Sequence, residues 1–287
     1  MTTDIKSQQL SFEVFPPRNQ AQHIQLIKTV EALTKFSPDY FSVTHGATGK
    51  TLQGTFETVE EISTLGFNVA PHITTKIETF EKLKELLLRY KELKIRRAVV
   101  IKGDATEPHA DFNTSNELIK AIHTIAPEWK LAVACYPEFH PLGTVANDLI
   151  ALRKKQEVGA TYAITQFFFS FDSYLHFLEL LEKENINLPI VVGVLPIVQF
   201  NAMRSFADKC GADVPRWLIK QMEYYEHDPA SQRALGIHLI TSLMQNIIAL
   251  KDTFHGFHIY TLNQTDLCSV ILQNLGYGKV LSNNSTR

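Results

Sequence analysis

Short runs rich in Val, Ile, Phe and Tyr recur along the chain roughly every 30 residues, the spacing of strand-plus-helix units. Eight stand out: Leu10 to Phe15, Tyr40 to Thr44, Asn68 to Ile73, Arg97 to Ile101, Lys130 to Cys135, Tyr162 to Phe168, Ile190 to Leu195 and Gly256 to Thr261. Between them the apolar positions fall at helical spacing. Ile77 to Tyr90 carries Phe80, Leu83, Leu87 and Tyr90, and Phe171 to Glu184 carries Leu175, Leu178 and Leu181. Eight such alternations predict an α/β fold, a (β/α)8 barrel of the TIM type. An open doubly wound sheet usually has fewer strands and a Gly-rich first turn.

The pattern departs from its period between the seventh and eighth strands. There Gln199 to Cys210, Val214 to Tyr225 and Asp228 to Leu250 read as three helices instead of one. Pro215 suits a first helical turn, and Asp228 before Pro229 reads as an N-cap with proline at N1. No linker or low-complexity tract interrupts the chain, so residues 1–287 are expected to form one barrel-shaped catalytic domain ending in a polar tail, Ser282 to Arg287.

Composition narrows the class. The chain has 287 residues, 45% hydrophobic and 20% charged, which excludes a disordered tail, a collagen and a coiled coil. A net charge of -2 supplies no broad positive field, so nucleic acid is not an expected partner. Cys135, Cys210 and Cys268 are far apart with no C-x-x-C pair, which argues against a disulfide framework and for a reducing compartment. Met1 to Leu10 lacks the apolar stretch of a signal peptide, and the apolar run from Pro189 to Val198 is too short to span a bilayer. The expectation is a cytoplasmic protein with no membrane partner.

In such a barrel the catalytic face lies at the C-terminal ends of the strands. The polar residues there are Glu13, Thr44, His45, His72, Thr74, Lys102, Asp104, Tyr136, Glu138, His140, Gln166, Tyr260 and Asn263. Glu13 is the clearest candidate, because a charge between Phe12 and Val14 is costly unless it is paired or functional. A structural salt bridge to Arg18 is the alternative. Lys102-Gly103-Asp104 offers a tight turn that brings backbone close to a ligand, or else an ordinary turn aspartate. Tyr136-Pro137-Glu138-Phe139-His140-Pro141 gathers a phenol, a carboxylate and an imidazole in a loop stiffened by proline, or else a solvated surface turn. His72 reads as a site residue or as a satisfied core histidine. Gln166, at the end of an apolar strand, can donate and accept at once. The phenylalanines from Phe167 to Phe169 read as packing. The histidines lack the H-x-H or H-E-x-x-H spacing of a metal site, so no metal is expected. Thr44 to Thr51 contains Gly-Lys-Thr without the first glycine of a P-loop.

Seven of these segments fall in the order of a known family: Ser11-Phe12-Glu13-Val14-Phe15-Pro16-Pro17-Arg18, Ser42-Val43-Thr44-His45-Gly46-Ala47, Ala70-Pro71-His72-Ile73-Thr74, Lys102-Gly103-Asp104, Tyr136-Pro137-Glu138-Phe139-His140-Pro141, Ile164-Thr165-Gln166-Phe167-Phe168-Phe169 and Tyr260-Thr261-Leu262-Asn263. The chain resembles the bacterial methylenetetrahydrofolate reductases from its first strand to its last. The resemblance implies an FAD-dependent enzyme in which NADH or NADPH reduces the flavin and is replaced by methylenetetrahydrofolate, a ping-pong route to methyltetrahydrofolate for methionine synthesis. It implies that Glu13 is the general acid and that Asp104 lies beside the flavin as the second catalytic residue. Thr44, His72, Lys102, Gly103, Asp104, Tyr136, His140, Asp148, Lys154 and Lys155 match positions that hold FAD, the two lysines suiting its phosphates. Gln166, Phe206, Tyr260 and Gln264, with Glu13, match substrate positions, and a homo-oligomer is expected.

The chain also departs from that pattern. Lys102 stands where the better-known members have arginine, Ala151 replaces a common asparagine and Ala202 a common glutamine. Gln264 stands where an arginine often grips the folate's glutamate tail. Two other classes remain as alternatives: a metal-dependent barrel hydrolase and a folate- or flavin-binding barrel without catalysis.

Overall fold

The computed structural model describes residues 8–45, 52–103, 111–140 and 143–278. Eight strands form a closed, all-parallel barrel in sequence order: β1 (Gln9–Val14), β2 (Tyr40–Val43), β3 (Val69–Thr74), β4 (Arg97–Ile101), β5 (Lys130–Cys135), β6 (Tyr162–Thr165), β7 (Ile190–Val194) and β8 (Gly256–Tyr260), with β8 paired back onto β1. The helices that follow are α1 (Gln20–Leu33), α2 (Leu52–Thr64), α3 (Phe80–Glu92), α4 (Ser115–Ile125), α5 (Val145–Glu157) and α6 (Phe171–Lys183), one after each of the first six strands. After β7 come α7 (Phe200–Cys210), α8 (Arg216–Tyr224) and α9 (Pro229–Ile248), and α10 (Asp266–Asn274) follows β8. The chain is therefore the expected (β/α)8 barrel with its extra helices between the seventh and eighth strands.

Local chemistry starts these helices where the sequence supplies a cap. The side chains of Asn19, Thr79, Thr144, Ser170 and Asp228 each accept a hydrogen bond from the first turn of their helix, and Thr114 and Glu117 form a reciprocal capping box on α4. Pro229 occupies the first turn of α9 as expected, whereas Pro215 sits one residue outside α8 as its N-cap. Strand β6 stops at Thr165, short of the expected Phe168. Beyond it the Gln166 side-chain carbonyl accepts from the Phe167 N–H at 3.0 Å, and Phe168 turns to stack on Tyr174 of α6.

Alternation along each strand sorts the two sides of the barrel wall. Leu10, Phe12 and Val14 of β1 join the apolar layer between sheet and helices, while Ser11 and Glu13 share the inner side with His258 and Tyr260 of β8, their register partners. The barrel interior itself is filled by Tyr40, Ala70, Val99, Ala132, Tyr162, Ile164 and Val191. No described helix is long and apolar enough to cross a membrane.

Candidate active site

The inner face of β1 carries Ser11 and then Glu13, one pleat closer to the barrel mouth. Glu13 is 22% exposed, and its Oε2 lies 3.4 Å from His72 Nε2 and 3.7 Å from His258 Nε2. Among the described residues it makes no ion pair with Arg18, which is exposed, so the structural salt bridge read as an alternative does not form. His258 is 1% exposed, and its Nδ1 lies 2.7 Å from Ser11 Oγ, which turns Nε2 toward Glu13 and toward Ser42 Oγ at 3.4 Å. Burial holds His72 down at about 4, although the Glu13 carboxylate pulls it upward. At neutral pH His72 is uncharged, and its Nε2 is buried without a hydrogen-bond partner despite the short distance to Glu13.

The backbone around Glu13 is fixed from β8. Thr261 donates through Oγ1 to the Glu13 carbonyl at 2.6 Å, and the Asn263 amide both accepts from the Phe15 N–H and donates to the Phe15 carbonyl at 3.0 Å. Asn263, a candidate from its place at a strand end, is thus a clamp between the first and last strands. Tyr260 reaches across the interior, its hydroxyl donating to the Thr165 carbonyl at 2.8 Å. This crossing requires Gly193 on β7, where a Cβ would stand 2.0 Å from the Thr165 oxygen and 2.8 Å from the Tyr260 ring. Burial keeps the Tyr260 phenol protonated, well above its ordinary range. Glu13, His72, Tyr136, Gln166, His258 and Tyr260, with apolar neighbours, line a cavity of about 70 Å³ at the mouth.

Comparison with known proteins shows the family to which the chain belongs. The family model described as "Methylenetetrahydrofolate reductase" matches residues 2–276. The chain belongs to that family. It is 34% identical over 271 residues to the 5,10-methylenetetrahydrofolate reductase of Buchnera aphidicola from Acyrthosiphon pisum, covering 93% of this chain and 92% of that protein. To the 5,10-methylenetetrahydrofolate reductase of Escherichia coli it is 30% identical over 270 residues, covering 93% and 90%. Among solved structures, a protein from Clostridium thermocellum described as binding two copies of 5-methyl-5,6,7,8-tetrahydrofolic acid superposes with a TM-score of 0.70 at 14% identity, over 95% of this chain and 96% of that one, which is a likeness of fold.

The positions expected to hold a cofactor in this reductase family fall into two groups. Thr44, His72, Lys102 and Gly103 stand at the ends of β2, β3 and β4. Around them the buried atoms Thr44 Oγ1, His45 Nδ1 and His72 Nε2 all lack partners. Gly103 has φ +73, and Thr75 Oγ1 donates to the Lys102 carbonyl at 2.8 Å, so this turn is held with its backbone close to the mouth. His72 lines the cavity, and the unpartnered atoms of Thr44, His45 and His72 near the ends of β2 and β3 fit a flat, hydrogen-bonding ring such as a flavin. The second group surrounds β5 and α5. Tyr136 and His140 meet edge to face at 4.9 Å, and Asp148 accepts from the His140 N–H at 2.6 Å, which shapes their loop. Lys155 turns inward to donate to the Ala134 carbonyl at 2.8 Å, and burial lowers its ammonium's affinity for its proton; Lys154, on the same helix, is exposed. Asp104 lies outside the described residues.

Of the substrate positions, Gln166 and Tyr260 line the cavity with Glu13. Phe206 on α7 is 38% exposed and stacks on Phe167 at 5.5 Å, which in turn meets the Tyr260 ring at 6.1 Å. Gln264 is set apart, in a neighbouring cavity that shares only Tyr260 with the first. Sequence reasoning missed Ser11, Ser42 and His258, because it took the residues at the strand ends and not the next inward position below them. The signal was present as alternation: Ser11 with Glu13, and His258 with Tyr260, are spaced by two. Among the described residues no three His, Cys, Asp or Glu side chains are grouped to hold a metal ion.

Proposed function

We propose that this chain reduces 5,10-methylenetetrahydrofolate to 5-methyltetrahydrofolate by a ping-pong sequence, with hydride from NADH or NADPH and FAD as cofactor, and so supplies methyl groups for methionine synthesis. The observation that carries the reading is Glu13 in a shared cavity with Gln166 and Tyr260, in a chain of this family. A plant relative, the Arabidopsis thaliana "Methylenetetrahydrofolate reductase (NADH) 1", is 29% identical over 287 residues and supports a nicotinamide donor, although the chain spans 48% of its length.

Turning the methylene bridge into a methyl group adds a hydride to the bridge carbon and a proton to N10, and breaks the bond between them. Expelling N10 without a proton would leave an unstable amide anion, so a general acid must face it. Glu13 fills that role. Neutral His72 leaves the carboxyl outside any ion pair on that side, and His258, oriented by Ser11, fixes the other side. Thr261 holds the Glu13 backbone against β8. The Gln166 carbonyl is engaged by Phe167, which leaves its NH₂ to contact nicotinamide and folate in turn, and Phe206 covers the bound ring. FAD, when bound, supplies the hydride relay between the two substrates. Thr44, His72, Lys102, Gly103, Tyr136 and His140 would hold it, with Asp148 shaping the loop, exposed Lys154 meeting a phosphate and Asp104 beside its ring.

The test is the purified protein itself. It is expected to show the yellow absorbance of oxidised flavin, to release FAD on denaturation, and to form methyltetrahydrofolate from NADH and methylenetetrahydrofolate. Protein that carries a full equivalent of zinc or iron and takes up no flavin on reconstitution overturns the reading in favour of a hydrolase.

A further inference from the structure

Beside the catalytic cavity lies a second one of about 90 Å³, between the end of β7, the loop after β8 and helix α9. The Tyr260 ring forms part of the wall of both. The two cavities are thus neighbours, and a long ligand whose reactive end sits against Glu13 would reach this space by passing Tyr260. Its walls are apolar at Pro196, Val198 and Leu262, and polar at Gln264, Asp266 and Arg233. Arg233 is the one cation in the lining, it is exposed, and among the described residues it forms no ion pair or hydrogen bond.

Resting on the function proposed above, we propose that Arg233 binds the carboxylates of the folate's glutamate tail, with the Gln264 amide as a second, uncharged donor. A tetrahydrofolate has a reactive ring at one end, an aromatic stem, and at the other end carboxylates that are ionised at pH 7. With the ring at Glu13, the apolar wall suits the stem and the guanidinium suits the carboxylates, which it can grip with two parallel hydrogen bonds. Two cations in other cavities are already engaged. Lys155 is directed at the Ala134 carbonyl, and Arg153 is paired with Glu184 at the opposite ends of the helices. Asp266 stands in the same wall and opposes an anion, so it sets the sign of a second test.

The experiment compares steady-state kinetics of the whole enzyme with methylenetetrahydrofolate, with the analogue lacking the glutamate, and with NADH. Arg233→Ala is expected to raise KM for the glutamate-bearing folate by about fivefold to tenfold, the scale of one exposed charge-assisted contact, while KM for the tail-less analogue and for NADH holds. Gln264→Arg, introduced into Arg233→Ala, restores the folate KM to within about threefold, because position 264 lines the same cavity and supplies it with a guanidinium again. Asp266→Asn lowers the folate KM. A rise of equal size for the tail-less analogue makes Arg233 a structural residue, and a rise for NADH alone assigns it to the dinucleotide's phosphates; either overturns the proposal. Wild-type protein that turns over no methylenetetrahydrofolate overturns the proposed function instead, whereas normal turnover with unmoved KM ratios overturns only the role of Arg233.

Discussion

At the floor of the barrel, where the strands begin, Tyr162 donates to the Tyr40 hydroxyl at 2.8 Å, Gln9 reaches the same oxygen at 3.4 Å, and the Arg97 guanidinium lies 4.6 Å over the Tyr40 ring. At the mouth, a few residues further along β2 and β3, Thr44 Oγ1 and His72 Nε2 are buried with no partner. Both regions are polar inside an apolar shell, yet the tyrosine pair is satisfied internally and the mouth is not. A buried polar group left unpaired costs about 1 to 3 kcal/mol; such atoms also occur away from the mouth, at Trp129 Nε1 and Tyr277 OH, and what sets His72 apart is that it also lines the cavity with Glu13. The difference sets a tyrosine pair that holds the fold beside groups open to a ligand at the mouth, with Tyr40 at the start of β2 only four residues from Thr44 just beyond its end.

The largest expected effect tests the mouth. Glu13→Gln preserves the shape and the neighbours but removes the acid, so reduction of methylenetetrahydrofolate falls by about 10² to 10⁴. Oxidation of NADH by an artificial acceptor stays within about tenfold, because that reaction needs no proton at N10. The melting temperature holds. Loss of both activities together with a lowered melting temperature would make Glu13 part of the scaffold and erase the contrast between the two ends.

A smaller effect appears in the pH dependence of stability. His72 in the fold binds its proton only near 4, against an ordinary 6.5, so between these values the unfolded chain holds the extra proton. Stability is then full above about 6.5 and is lost as the pH falls toward 4, by up to about 3 kcal/mol. Glu138 works the other way. Burial raises it to about 7, so it contributes stability at low pH that is lost as the pH rises through that value. Over nearly the same range the two oppose each other, so in denaturant melts the wild type should be almost flat, His72→Gln should gain stability as the pH falls and Glu138→Gln should lose it, while a change at the floor leaves the slope alone. If the wild type and His72→Gln show the same slope from pH 6.5 to 4, His72 is charged in the fold.

How far the sequence foretold this contrast depends on which interaction each residue makes. All eight strands were legible, because alternation and apolar clustering report a barrel wall directly, and Glu13 was legible because a charge amid Phe12 and Val14 is out of place. What the linear pattern does not carry is the closure of β8 onto β1. That closure brings His258 to Ser11 across 247 positions and gives Asn263 to Phe15, turning one residue from unremarked to central and the other from candidate to clamp. Lys155 illustrates the opposite limit: it is expected to face a phosphate of the cofactor, and only the packing of α5 shows its amine directed inward at the Ala134 carbonyl. Glu138, read as a loop carboxylate, accepts from the Asp213 N–H at 2.8 Å and so ties the loop after β5 to the inserted helices.

The smallest expected effect tests the floor. Tyr162→Phe deletes the hydroxyl that donates to Tyr40 and leaves the rest of the ring in the barrel interior, so packing is kept and one buried hydrogen bond is lost. Tyr40 retains the longer contact from Gln9, and burial holds its phenol neutral, so no charge is exposed by the change. The cost should be about 1 to 2 kcal/mol, a fall of about 2 to 8 °C in melting temperature for a chain of this size. Folate turnover and the folate KM should stay within about twofold, because Tyr40 meets Ser11 and His258, which support Glu13, and Tyr162 lies one step further from the site. Tyr40→Phe should cost no less, since it strips partners from Tyr162 and Gln9 together. If Tyr162→Phe instead slows folate reduction tenfold at an unchanged melting temperature, the floor and mouth act as one polar column through His258, and the division between them fails.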